Sequence, residues 1–136
     1  MQQSNSVTAF HPNFYHMDIS MQNRNFWQAL DILVATHQLI IDRPRGSAHP
    51  RYPAFRYPLD YGYLQGTQSS DSDGIDVWLA SLAHQQPTAI IVILDLLKHE
   101  SEIKILLGCT PTEMQLVLSV HNSGDQSAIL IQRDRS

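Results

Sequence analysis

Thiol chemistry is almost missing from this chain: Cys109 is its one cysteine. That excludes an internal disulfide framework and a cysteine-rich zinc centre. Flanked by Gly108 and Thr110, it reads as a small buried hydrophobe. Long apolar runs are missing too. The longest, Ala89 to Leu94, is strand-sized, far short of the roughly 20 residues that a membrane-spanning helix needs. No basic-plus-apolar leader opens the sequence, so no membrane association is expected and the expected compartment is the cytoplasm. Basic residues are scarce, with 9 Lys and Arg against 13 Asp and Glu and a net charge of −4. Such a balance argues against a nucleic-acid binder, although Arg43, Arg45, Arg51 and Arg56 cluster locally. There is no internal repeat and no low-complexity tract. With 136 residues, 43% hydrophobic and 16% charged, the composition fits one globular domain.

Residues 1–22 are polar, rich in Gln, Asn and Ser, and read as an arm preceding a single domain over 23–136. Phe26, Trp27, Leu30, Leu33 and Val34 then recur at helical spacing, predicting an amphipathic helix over 25–36 capped by Asn23 or Asn25. The Phe26-Trp27-Leu30 stripe is either core packing or a subunit contact. Short β-like runs follow at 39–41, 77–79, 89–94, 103–107 and 128–131, which points to a small antiparallel sheet or barrel. A second helix is expected from Pro111 to about His121. Thr110 would cap it, and Glu113 suits its positive N-terminal end. Residues 42–74 hold most of the prolines and much of the aromatic content without periodicity. Such long stretches in compact domains are functional or disordered, and the aromatics favour the first. His84 and His99 have no spacing that suits zinc and read as loop histidines.

The densest chemical signal is Asp71-Ser72-Asp73-Gly74-Ile75-Asp76, three of the thirteen acidic residues in one short segment. In an extended segment Asp71 and Asp73 share a face, and Gly74 permits a turn that brings Asp76 round to them. Two carboxylates about 4–5 Å apart repel by a few kcal/mol at an effective dielectric of ~20. A hard divalent cation, Mg²⁺ or Mn²⁺, removes that cost. Asp, Ser and Gly also make ordinary solvated turns, so composition alone leaves both readings open. An EF-hand loop fits badly, because glycine stands at its fourth position and Leu82 at its twelfth.

The approach to this cluster runs Tyr57-Pro58-Leu59-Asp60-Tyr61-Gly62-Tyr63-Leu64, then Gly66-Thr67. Together, a Tyr-Pro, a Tyr-Gly-Tyr and an Asp-x-Asp-x-x-Asp leading into a strand resemble the signature of soluble family I inorganic pyrophosphatases. The likeness is densest over 57–77 and looser over roughly 39–131. It implies a mainly β, α+β fold: a small five-stranded OB-like closed barrel with two flanking helices. It also implies Mg²⁺-dependent hydrolysis of pyrophosphate, with Asp71, Asp73, Asp76, Glu102 and Asp42 as metal ligands. By the same resemblance Asp73 would be the base for the attacking water, while Arg51, Tyr57, Tyr61 and Lys104 would serve the phosphates. Family members are commonly oligomers, so a homo-oligomer is expected.

The chain departs from the pattern in places. Pro53 stands where the family has an acidic residue, and the hairpin that carries a phosphate-binding Arg is missing, with Arg56 nearby. Lys98 sits near the place of a metal-binding Asp. His121-Asn122 replaces a Tyr-Lys pair, so that His121 either donates to a phosphate or caps the helix end. Arg43-Pro44-Arg45-Gly46-Ser47 and His121-Asn122 are similar to a short, divergent bacterial pyrophosphatase-like branch. The expected activity is hydrolysis of pyrophosphate by metal-activated water. Two alternatives keep the fold: a phosphate-binding protein with weakened chemistry, or a hydrolase of another phosphoanhydride such as a nucleotide.

Overall fold

The structure, a computed structural model, describes residues 18–69 and 73–134. Helix α1 (Ile19–Ala35) leads into β1 (Leu39–Arg43), β2 (Asp60–Leu64), β3 (Ile75–Leu79), β4 (Pro87–Asp95) and β5 (Glu100–Leu107). Helix α2 (Pro111–Val120) and β6 (Gln126–Gln132) complete the order. One six-stranded sheet runs β1-β2-β3-β5-β4-β6. Every neighbouring pair is antiparallel except β3 and β5, which run parallel.

This corrects the expected five-stranded closed barrel: among the described residues there are six strands, and the sheet is open, with β1 and β6 at its edges. The outer edge of β6 is already engaged locally. Asn122 Nδ2 donates to the Ala128 carbonyl, and Ala128 N–H donates to Asn122 Oδ1, so a side-chain amide stands where a further strand would pair. The mainly β character and the two helices are as expected.

Side chains alternate between the two faces of the sheet, and each face carries its own core. Over one lie Trp78, Ala89, Ile91, Ile93 and Leu106, packed with Tyr57, Leu59 and the α2 residues Met114 and Val117. Over the other lie Leu64, Val77, Ile90, Ile105 and Leu107, covered by Trp27 and Leu30 of α1. Each fully buried Leu or Ile side chain contributes about 1.5–3 kcal/mol, so β5, buried on both faces over residues 104–107, anchors both layers.

Helix α1 starts earlier than its periodicity predicts. Asp18 caps it, its Oδ1 accepting from Met21 N–H at 2.7 Å. Residues 19–22, expected in the polar arm, are therefore its exposed first turn, while residues 1–17 lie outside the described residues. Helix α2 matches expectation. Thr110 Oγ1 accepts from Glu113 N–H and Glu113 accepts from Thr110 N–H, a reciprocal cap.

Candidate active site

Three strands bring polar side chains to the α2 face beside the core. On β2, Tyr61 stands opposite Trp78 of β3, and Tyr63 opposite Asp76. The parallel pairing of β3 with β5 matches Val77 to Ile105 and Trp78 to Leu106, which sets Lys104 beside Asp76. Glu102 lies two residues before Lys104, on the same face by alternation.

These groups form a tight cluster. Lys104 Nζ donates to Asp76 Oδ2 at 2.7 Å, to the Tyr61 hydroxyl at 2.7 Å and to Glu102 Oε2 at 3.2 Å. Tyr61 donates in turn to Asp76 Oδ2 at 2.7 Å. The Lys104 side chain is only 6% exposed. A lysine is buried only where carboxylates compensate the lost hydration. Burial first, then the charge of Asp76, push the Tyr61 phenol far above its ordinary range. It therefore stays protonated and serves as a hydrogen-bond donor, not a base.

Above the cluster opens a cavity of about 440 Å³ lined by Asp42, Arg43, Tyr57, Tyr61, Tyr63, Asp73 and Asp76. A register shift between Ile41 and Arg43 at the end of β1 brings Asp42 and Arg43 to this rim, the usual effect of a bulge. Gly74, at φ +93°, turns the chain between Asp73 and β3, and a Cβ there would press on Tyr63 and the Leu64 carbonyl at 3.0–3.1 Å. The loop of residues 44–59 forms another wall. His49 Nδ1 accepts from Arg51 N–H and Tyr52 N–H, and its ring stacks on Tyr57 at 6.1 Å. Tyr57 in turn packs on Tyr61 at 5.3 Å. A larger cavity, about 600 Å³, lies near the start of α2, among Leu82, His84, Cys109, Met114 and Arg133. Its thiol is buried and pushed up to about 12, and its arginine is committed to Asp31, so the smaller cavity is the chemical one.

Three solved structures share this architecture. An inorganic pyrophosphatase from Neisseria gonorrhoeae aligns at a TM-score of 0.54 with 17% identity, over 70% of this chain and 81% of that one. An inorganic pyrophosphatase from Helicobacter pylori aligns at 0.52 with 11% identity, over 70% and 83%. An inorganic phosphatase from Anaplasma phagocytophilum aligns at 0.51 with 12% identity, over 70% and 83%. The chain has a pyrophosphatase-like fold. No family model matches it, and no curated protein does.

Within the pyrophosphatase-like fold, the residues singled out from sequence divide into groups. Asp42, Tyr57, Tyr61, Asp73 and Asp76 line the one cavity, and Glu102 and Lys104 join Asp76 beneath it. Asp71 lies outside the described residues. Arg51 is exposed on the 44–59 loop and is not part of the lining. Arg56 Nη1 donates to the Gly46 carbonyl and so fastens that loop. Lys98 belongs to the turn between β4 and β5. His121 is buried in the core: its Nε2 accepts from Trp78 Nε1–H at 3.1 Å, and its Nδ1 meets Gln126 Oε1 at 3.1 Å. With both ring nitrogens engaged it has no donor for a phosphate, which corrects the substrate-binding role expected of it. Asn122, its neighbour, is spent on the β6 edge and on the Leu118 carbonyl. Arg43, Tyr63 and His49 were not singled out as site residues. Tyr63 was within reach of simple alternation from Tyr61, whereas a bulge places Arg43 and a folded loop places His49.

Among the described residues no three Asp, Glu, His or Cys side chains stand close enough to cage one metal ion. The donor chemistry nevertheless fits Mg²⁺. Asp42, Asp73 and Asp76 offer only hard oxygens, and Mg²⁺ is usually held by one or two carboxylates, with water and substrate phosphates completing its shell.

Proposed function

We propose that this chain hydrolyses a phosphoanhydride, with inorganic pyrophosphate as substrate and Mg²⁺ as cofactor. Mn²⁺ would serve as a substitute. One observation carries the reading: carboxylates and a protonated tyrosine line a single cavity, with a buried ammonium bonded to them beneath it, in a pyrophosphatase-like fold.

Of Asp42, Asp73 and Asp76, one or two would hold the cation directly and the rest would reach it through its water shell, with Asp71 as a further ligand. When bound, Mg²⁺ neutralises phosphate charge and acidifies water. Asp73, across the Gly74 turn from β3, orients the attacking water and takes its proton. Arg43 at the rim and Arg51 on the loop meet the phosphoryl oxygens, where a guanidinium fork binds well. Tyr57 orients these groups, and Tyr61 holds Asp76 in place by donating to it. Transfer of this kind depends mostly on positioning and charge neutralisation.

The test is phosphate release from pyrophosphate with and without Mg²⁺, for the wild type and Asp76→Asn. Metal-dependent turnover is expected, with a loss on the order of 10²-fold or more in the variant. Equal rates in both proteins, or rates indifferent to metal, would sink the proposal.

A second reading is favoured by the way Lys104 occupies the Asp76–Glu102 pair: a phosphate- or phosphoanhydride-binding protein without turnover. Stabilisation of the fold by pyrophosphate plus Mg²⁺, with no phosphate released, would select it. Hydrolysis of nucleoside triphosphate in preference to pyrophosphate would select the third, larger-substrate reading.

A further inference from the structure

We infer that Lys104 is a resident cation, which takes the position between Asp76 and Glu102 and closes it to divalent metal. The geometry is that of a filled site. An ammonium has three N–H donors, and Lys104 places one each on Asp76 Oδ2, Glu102 Oε2 and the Tyr61 hydroxyl. The proton on Tyr61 points to the same Asp76 oxygen, so that oxygen accepts twice. The lysine side chain is 6% exposed, Glu102 11% and Asp76 18%, so solvent does little of the neutralising.

A divalent ion coordinated by Asp76 Oδ2 and Glu102 Oε2 together would sit against this ammonium in a poorly hydrated pocket, where like charges repel strongly. Trp78, Leu106 and Ile91 surround the strand position of Lys104 on the buried face, so the lysine stem is packed in the α2 core. The chain therefore carries one positive charge of its own at this point, and metal is left to the cavity that Asp42, Asp73 and Asp76 line. The inference deepens the proposed function by assigning the position between Asp76 and Glu102 to the lysine. It does not need turnover to be tested.

The experiment is Mn²⁺ binding without substrate, by titration calorimetry and by the loss of the free-ion electron paramagnetic signal. The proteins are the wild type, Lys104→Gln, and Lys104→Gln combined with Glu102→Gln. Lys104→Gln should gain a Mn²⁺ site absent from the wild type, or tighten an existing one by roughly tenfold or more, since a like charge has gone. The double variant, lacking one of the two freed carboxylates, should lose that gain. Should Lys104→Gln fail to fold in metal-free buffer, Mn²⁺ should restore a cooperative thermal transition to it. Unchanged stoichiometry and affinity, an equal gain in the double variant, or an unfolded Lys104→Gln that Mn²⁺ does not rescue would each overturn the inference. An inactive wild type that behaves as described in these titrations would refute hydrolysis and leave the lysine assignment standing.

Discussion

His121 shows how a residue suited to a site can be spent on a core. Its imidazole is 7% exposed, accepts from Trp78 and faces the Gln126 amide. Burial, assisted by Lys104 and opposed by Gln126 and Asp76, lowers its pKa to about 4. The folded protein therefore holds the neutral ring, whereas the unfolded chain binds a proton near the ordinary value of 6.5. Because the unfolded state takes up more protons between these two values, stability is fully present above about pH 6.5. It falls as pH drops toward 4, by up to about 3 kcal/mol. Denaturant midpoints measured from pH 7.5 to 4 should show this slope, and His121→Gln should flatten it. An identical slope in the variant would mean that another group titrates. The change of Trp78 emission with pH gives a second reading of the same proton.

At the scale of elements, β1, β3, β4, β5 and β6 announce themselves as apolar runs, and Thr110, Pro111 and Glu113 mark α2. β2 does not, because Asp60-Tyr61-Gly62-Tyr63-Leu64 contains a residue that weakens strands and has a single strong aliphatic at its end. It is a strand because β1 and β3 both claim it. Gly62 is there for space: a Cβ would collide with the Ile40 carbonyl. The motif that reads as a phosphate-facing signature is thus also a place where the β1 backbone leaves no room for a side chain. The start of α1 was hidden for a different reason, since its first turn is exposed and held by a cap rather than by an apolar stripe. The site divides the same way. Alternation and the likeness to the family single out Asp76, Tyr61, Glu102 and Lys104. No local pattern reveals that the lysine points inward at the carboxylates, because that depends on the parallel pairing of β3 with β5. Gly62→Ala should force β1 off β2, costing about 3 kcal/mol or more. By contrast, Gly46→Ala, at φ +86° with open space around it, should cost about 1 kcal/mol. Urea midpoints of the two variants would check the contrast, and equal losses would contradict the steric account.

At the scale of the whole molecule, the two layers are held differently. The α2 layer is fixed by short connections, because α2 lies between β5 and β6 in the chain. Among the described residues the chain joins α1 to the sheet through the turn into β1, and α1 has a second fastening besides its packed apolar stripe. Arg133, just past the end of β6, supplies it. Its guanidinium makes two bonds to Asp31, at 2.7 and 2.8 Å, and one to the Pro87 carbonyl. It also lies 5.6 Å from the Trp27 ring that α1 buries. A forked pair of this kind adds geometry as well as energy, though its partial exposure, 23% and 34% for the two side chains, keeps its share to about 1 kcal/mol. The loss should be local in consequence. In Arg133→Ala, amides of α1 should exchange several-fold faster while those of β3 and β5 keep their protection, because the helix loosens without unzipping the sheet. Asp31→Asn should produce the same pattern, and combining the two should add little, since both remove one interaction. Additive losses would mean that the two residues act separately, and faster exchange spread evenly through the sheet would mean that the pair supports the whole fold and not α1 in particular.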